Sequence, residues 1–293
     1  MKKRKWILLG ASIAVIVVLS IYIASISSAA TPWKSGGLFC WDGAVLTDED
    51  ERESLWQTME DLRLNVLYQA VSKGTEAAAV RTFLAAAAEQ GIEVWMLTGA
   101  PEWGLDRSGA EMIRAVEEAA RYNQGQCSEE CFRGILMDCE PYLLEQWERE
   151  PAAVMDSWLS AMKEAHQAAE SQTLDFTVCI PYYLDTEGFS GHLRELTEEG
   201  CSGLAIMNYY KEEEAAHVQT EVAFARASGI PVTVIYELQP PDAHSLQEIN
   251  TYYHEGLHAV EESWQALKEI FGKDGFTPAL HEYEALREVA CYE

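Results

Sequence analysis

The chain has 293 residues, of which 48% are hydrophobic and 24% charged, a balance that supports a sizeable packed core and excludes a disordered chain. Its 21 basic residues stand against 48 acidic ones, a net charge of −27. Nucleic acid is thereby excluded as a partner, because phosphate backbones are held by basic surfaces. A neutral or cationic ligand fits such a field better than a polyanion.

The first thirty residues read as an export segment: Lys2-Lys3-Arg4-Lys5, then an uncharged run from Trp6 to Ala30. Its apolar stretch, residues 6–26, is longer than the ~7–15 of a cleavable signal and close to the ~20 that span a bilayer as a helix. A retained signal-anchor is therefore expected over a cleaved signal, although the small residues Ser27-Ser28-Ala29-Ala30 permit cleavage after Ala29 or Ala30. The basic end stays inside, so residues 31–293 are expected outside the cell, carrying 17 basic and 48 acidic residues, a net charge of −31. Seven cysteines, Cys40, Cys127, Cys131, Cys139, Cys179, Cys201 and Cys291, show neither a disulfide framework nor metal-ligand spacing. Cys127 and Cys131 could bridge in an oxidising compartment, while several of the others sit inside apolar strands.

Eight short β-rich runs follow, at 37–41, 65–70, 93–98, 134–139, 175–180, 203–208, 231–236 and 277–281. Gly91, Gly200, Gly229 and Gly275 stand where helices should stop and new strands begin. Helical patterns are read over 48–62, 75–90, 156–171, 187–199, 212–228 and 246–271, the last long enough for two helices or one extended one. Thr47 and the acids behind it look like the cap of the first. Strands alternating with helices imply parallel βα units, and eight of them over this length imply an α/β fold: a single (β/α)8 TIM barrel, residues 31–293, preceded by the hydrophobic segment. The first strand leads into Trp41-Asp42-Gly43-Ala44-Val45, which is not a dinucleotide fingerprint, and no cofactor is implied.

In such a barrel the reacting groups stand at the C-terminal ends of the strands. Those positions are rich in aromatic and acidic residues: Trp41 and Asp42, Tyr68 and Gln69, Trp103, Asp138 to Tyr142, Tyr182, Asn208 to Tyr210, Glu237, and His281 to Tyr283. Aromatic faces with acids between them suit the stacking and hydrogen bonding of a sugar ring. The sharpest element is Leu136-Met137-Asp138-Cys139-Glu140-Pro141-Tyr142. Strand alternation puts Asp138 and Glu140 on one face. Two like charges there raise one pKa and supply a protonated acid near neutral pH. The alternative is a rim ion pair with Arg133 or another arginine. His281 with Glu282 suggests a metal only alongside Asp138 or Glu140, and Cys40-Trp41-Asp42 stands where metal-dependent amidohydrolases carry His-x-His.

Asp138-x-Glu140-Pro141-Tyr142 resembles the end of the fourth-strand motif of family 18 chitinases, and Met207-Asn208-Tyr209-Tyr210 is similar to their sixth-strand element. That resemblance implies Glu140 as proton donor and Tyr209 as helper of a substrate acetamido group. Leu136 stands where that family has a further aspartate. Glu140 and Glu237 are also similar in placement to the acid/base and nucleophile of the strand-four, strand-seven retaining glycosidases, with Cys139 in place of their asparagine. Asp138 to Tyr142 and Leu280-His281-Glu282-Tyr283 look like elements of a group of bacterial barrels without assigned activity. A glycoside hydrolase-like protein acting on an extracellular or cell-wall saccharide is the resulting expectation. Glu140, Asp138, Glu237 and Tyr209 are its catalytic candidates. Trp41, Asp42, Tyr68, Gln69, Trp103, Tyr142, Tyr182, Asn208, Tyr210, His281 and Tyr283 are its binding candidates, and a catalytically silent glycan- or protein-binding barrel is the alternative.

Overall fold

The structure is a computed structural model that describes residues 36–289. The expected export segment and Cys291 lie outside the described residues. Among the described residues no helix is long and apolar enough to cross a membrane. Eight strands, β1 (Gly37–Cys40), β2 (Val66–Ala70), β3 (Glu93–Thr98), β4 (Gly134–Met137), β5 (Asp175–Pro181), β6 (Gly203–Met207), β7 (Val232–Glu237) and β8 (Phe276–His281), pair in sequence order. The barrel closes where β1 meets β8 in parallel, Gly37 opposite Ala279 and Leu38 opposite Leu280.

The period-two alternation of each strand divides the hydrophobic residues into two sets. Phe39, Tyr68, Leu97, Leu136, Cys179, Ala205, Met207, Ile235 and Ala279 fill the barrel interior. Their neighbours of opposite parity, such as Leu38, Leu67, Met96, Ile135, Met137, Val178, Ile206 and Val234, pack outward in a single larger cluster with the helices. Burial of each aliphatic side chain contributes about 1.5–3 kcal/mol. Gly37 is required by close approach, since a Cβ there would stand 2.6 Å from the Tyr68 ring.

Helices α1 (Glu49–Asp61) and α2 (Ala77–Glu89) follow β1 and β2 in the chain. The cap of α1 is Asp48, whose Oδ1 accepts from the backbone N–H of Asp50 and Glu51, while the expected Thr47 turns back to the Ala44 carbonyl. A further helix, α3 (Ala110–Asn123), follows β3 where no helix was read from sequence; it buries Met112, Ala115, Val116, Ala119 and Tyr122 at helical spacing. After β4 come α4 (Glu145–Arg149) and α5 (Pro151–Ser171), and after β5 the regular turns of α6 (Ser190–Glu195) between two wider ones. The helix expected over 212–228 is two, α7 (Glu214–His217) and α8 (Gln219–Ser228), divided at Val218.

The stretch read as helix over 246–271 is α-helical only as α9 (Gly256–Phe271), with a single 3-10 turn at Glu248–Asn250 before it. Residues before it are pinned across the top of β7 instead. Thr251 Oγ1 donates to the Gln239 carbonyl at 2.7 Å, Tyr252 N–H donates to the Glu237 carbonyl at 2.9 Å, and Asn250 Nδ2 donates to the Tyr209 carbonyl at 2.7 Å. Tertiary hydrogen bonds thus outweigh local helix propensity here. A last helix, α10 (Tyr283–Val289), is capped by Glu282, whose carboxylate accepts from the N–H groups of Glu284 and Ala285.

Candidate active site

The inward parity that builds the interior continues one step higher at the strand ends. Two residues above Phe39 stands Trp41, above Leu136 stands Asp138, above Met207 stands Tyr209, above Ile235 stands Glu237, and above Ala279 stands His281. Five chemically active side chains therefore form a layer over an apolar floor.

Hydrogen bonding of β4 to β5 ends at Met137, two residues earlier than the sequence suggests, yet Asp138 N–H still donates to the Thr98 carbonyl at 2.8 Å. Cys139 points outward, with its thiol on the Ala100 carbonyl and its own carbonyl accepting from Trp158 Nε1 at 3.0 Å. The strand end is thus clamped from outside. Gly99 makes room for it: a Cβ at that position would lie 2.0 Å from the Asp138 carbonyl oxygen.

Asp138 Oδ1 is inaccessible to solvent and has no hydrogen-bond partner. Burial first, and the charge of Glu140 second, push its carboxyl up from 3.8 to about 7; His281 and the Cys179 thiol pull it back part of the way. Glu140 accepts a hydrogen bond from the Tyr142 hydroxyl. Burial and the Glu140 charge raise the Tyr142 phenol well above its ordinary range, so it remains a donor. Among the described residues neither Asp138 nor Glu140 has an arginine or lysine ion pair; Arg133 bonds Asp175 at 2.7 Å instead. In place of the rim ion pair stands a buried Asp138 carboxyl whose proton is held by burial and by the neighbouring Glu140 charge.

Glu237 is 3% exposed. Its Oε1 accepts from the backbone N–H of Leu238 at 3.0 Å and Gln239 at 2.8 Å, and its Oε2 lies 3.0 Å from His281 Nδ1. The other ring nitrogen of His281 accepts from Trp41 Nε1 at 3.2 Å. Burial lowers the His281 pKa, but the Glu237 charge and hydrogen bond, with Asp138 and Glu282 behind them, outweigh it and leave the imidazole above its usual value. Burial, with the charges of Glu237 and Asp138, raises the Tyr209 phenol far above its ordinary range, and its ring lies 6.2 Å from that of His281.

The binding candidates divide by parity and height. Tyr142 reaches the mouth and packs edge-on to Tyr183 at 6.0 Å. Tyr182 and Tyr210, 6.3 Å apart, lie farther out with His217 against both. Trp103 sits in the turn after β3 and packs on the outer cluster. Four candidates fall elsewhere. Tyr68 fills the interior beside Phe39, Gln69 points outward and donates to the Asp42 and Ala70 carbonyls, Asn208 is buried with its Nδ2 on the Glu214 carbonyl, and Tyr283 is a fully buried residue of α10. Asp42 caps its own turn by accepting from Ala44 N–H at 2.8 Å. Cys179, directly beside Asp138, was absent from the expected set; the parity of Thr177-Cys179-Pro181 on β5 was the available signal for it. Among the described residues no three His, Cys, Asp or Glu side chains converge as metal ligands.

The arrangement is that of a (β/α)8 barrel with an acid-rich mouth. Comparisons with solved structures show the same barrel fold. A family 18 chitinase from Pseudoalteromonas aurantia is 13% identical, with 88% of this chain and 99% of that one covered at a TM-score of 0.50. A chitinase from Chromobacterium violaceum is 12% identical over 87% of this chain and 99% of its own, at 0.51. A candidate α-L-fucosidase from Bacteroides thetaiotaomicron is 10% identical over 88% and 90%, at 0.58. At such identity the likeness shows the fold alone. No protein-family model matches the chain, and no curated protein matches it.

Proposed function

We propose that this chain is an extracellular glycoside hydrolase-like enzyme that cleaves a glycosidic bond of an envelope or cell-wall saccharide, with Glu140 as acid/base and Asp138 as the carboxyl that shares and orients its proton. One observation carries this. Asp138 is buried beside Glu140 with no arginine or lysine ion pair among the described residues, and its carboxyl is raised to about 7. A proton is then available at neutral pH at the place where a leaving oxygen needs it. Aromatic side chains beside it, Tyr142 and Tyr183, suit a sugar face. The barrels of two chitinases and a candidate fucosidase support the same class by fold.

Glu237 already holds three protein donors, which supports an attacking group other than its carboxylate: water, or a substrate acetamido group helped by Tyr209. The segment of residues 1–30 would keep the barrel at the outer membrane face, or release it if cut after Ala29 or Ala30. That neither Asp138 nor Glu140 pairs with an arginine or lysine among the described residues favours catalysis over a silent binding barrel, since charges kept only for structure are normally paired. The test is turnover of fluorogenic glycosides and peptidoglycan fragments by the full chain and by Glu140→Gln. Hydrolysis lost in the variant supports the assignment. A wild-type protein that binds glycan but turns over none of them, with binding unaltered by the substitution, moves the assignment to a binding barrel.

A further inference from the structure

The three hydrogen bonds to Glu237 come from two backbone N–H groups and His281 Nδ1. A carboxylate has about four lone-pair sites. With three of them committed to the protein, its charge is already stabilised, which weakens it as a nucleophile and fixes it as a holder of the imidazole. The hold sets the tautomer. Nδ1 carries the proton given to Glu237, so Nε2 presents a bare lone pair.

Trp41 reports the same state independently. An indole N–H can only donate, and Trp41 Nε1 lies 3.2 Å from His281 Nε2, a contact that requires Nε2 to be unprotonated. Trp41 is 41% exposed, so the group covering this lone pair is the most exposed member of the layer. Phe39 stands edge-on to the imidazole at 5.4 Å and Tyr209 flanks it at 6.2 Å, which holds the ring plane. In a closed order β1 to β8, β4 and β8 are diametrically opposed. Asp138 and Glu140 thus occupy one wall of the mouth, His281 the other.

We infer that His281, oriented by Glu237, is the proton acceptor of the mouth and takes a proton from the water that attacks the anomeric carbon, Glu237 being a positioning residue. This rests on the glycosidase reading above. In the step, a water O–H bond breaks and its proton goes to Nε2 while the oxygen bonds to the anomeric carbon. The bond from that carbon to the leaving oxygen breaks, and the leaving oxygen takes the proton held by Asp138 and Glu140. Both groups return to their starting states by proton exchange with solvent. A single displacement between an acid and a base on opposite walls inverts the anomeric configuration. The groups facing the imidazole are Glu237 from β7, Asp138 beyond β4 and the adjacent Glu282, all acidic, with Trp41, Phe39 and Tyr209 uncharged around it. The acidic charges, Glu237 first, hold the imidazole above its usual value against the effect of burial.

The experiment uses the full chain in detergent and two readouts. Proton NMR of the first product from a β-glycoside substrate is expected to show the α-anomer; a β-anomer first product overturns the inference while leaving the glycosidase assignment standing. In parallel, nitrogen NMR of labelled histidine, assigned with His281→Gln, is expected to show His281 protonated at Nδ1 and titrating at lower pH in Glu237→Gln. The acidic limb of the kcat/KM profile should move down with it. His281→Gln should lose about 10²–10⁴-fold in turnover. A His281 titration and an acidic limb that Glu237→Gln leaves unmoved exclude the pairing, and restoration of Glu237→Ala by azide shows that Glu237 is the nucleophile. A wild-type chain without turnover removes the glycosidase assignment and the acceptor role together.

Discussion

Replacing Asp138 by Asn should make the protein more stable and the effect should grow with pH. In the unfolded chain an aspartate loses its proton near 3.8, whereas burial and the neighbouring Glu140 hold it in the folded mouth until about pH 7. Between those values the unfolded state binds fewer protons than the folded one, so the wild type loses stability as pH rises through that window. A difference of about three pKa units corresponds to at most about 4 kcal/mol at about 1.36 kcal/mol per unit. Asn keeps the shape without the titration. Urea unfolding of both proteins at pH 4, 6 and 8 should therefore show near-equal stability at pH 4, a gap in favour of Asp138→Asn at pH 6, and a wider one at pH 8. The same variant should lose turnover, because stability forgone at a site of chemistry is recovered when the chemistry is removed. Equal gaps at all three pH values, or a variant less stable at pH 8, would refute a buried carboxyl with a raised pKa.

Gly99→Ala should destabilise the barrel by about 1–3 kcal/mol and reduce activity with it, since the added Cβ would stand 2.0 Å from the Asp138 carbonyl oxygen; denaturant midpoint and kcat/KM read the two effects. Glu221 is fully buried on α8 with neither carboxylate oxygen hydrogen-bonded, and burial lifts it from 4.5 to about 8. Glu221→Leu should therefore raise the melting temperature more at pH 8 than at pH 5; a lower one at pH 8 means that the carboxylate has a partner. Leu136→Ala removes a fully buried side chain from the barrel interior directly beneath Asp138 and should cost about 2–5 kcal/mol, measured by urea unfolding.

The barrel was legible because its signals are local and repeated. The strands are short apolar runs, several of them preceded by a glycine helix stop, and Gly91, Gly229 and Gly275 take positive φ at those stops while Gly200 does not. In α3, Met112, Val116 and Ala119 keep helical spacing, and the departure from helix at 246–255 has a tertiary cause: Asn250, Thr251 and Tyr252 are spent on the carbonyls of β6 and β7 ends. Asp138, Tyr209, Glu237 and His281 were found because strand-end position is countable. What counting alone misses is parity and depth. Gln69 and Asn208 stand one residue out of phase with the inward face, Tyr68 lies a layer too deep, and Tyr283 already belongs to a helix. The linkage of Glu237 to His281 to Trp41 joins three strands, and no spacing in one sequence encodes it.

The most direct test of Glu140 as acid compares two substrates in one variant. A glycoside with an unactivated leaving group needs its oxygen protonated, while a dinitrophenyl glycoside does not. Glu140→Gln should lose about 10²–10⁴-fold in kcat on the first and little on the second. Equal losses on both, or no loss on either, would contradict proton donation from this pair of carboxyls.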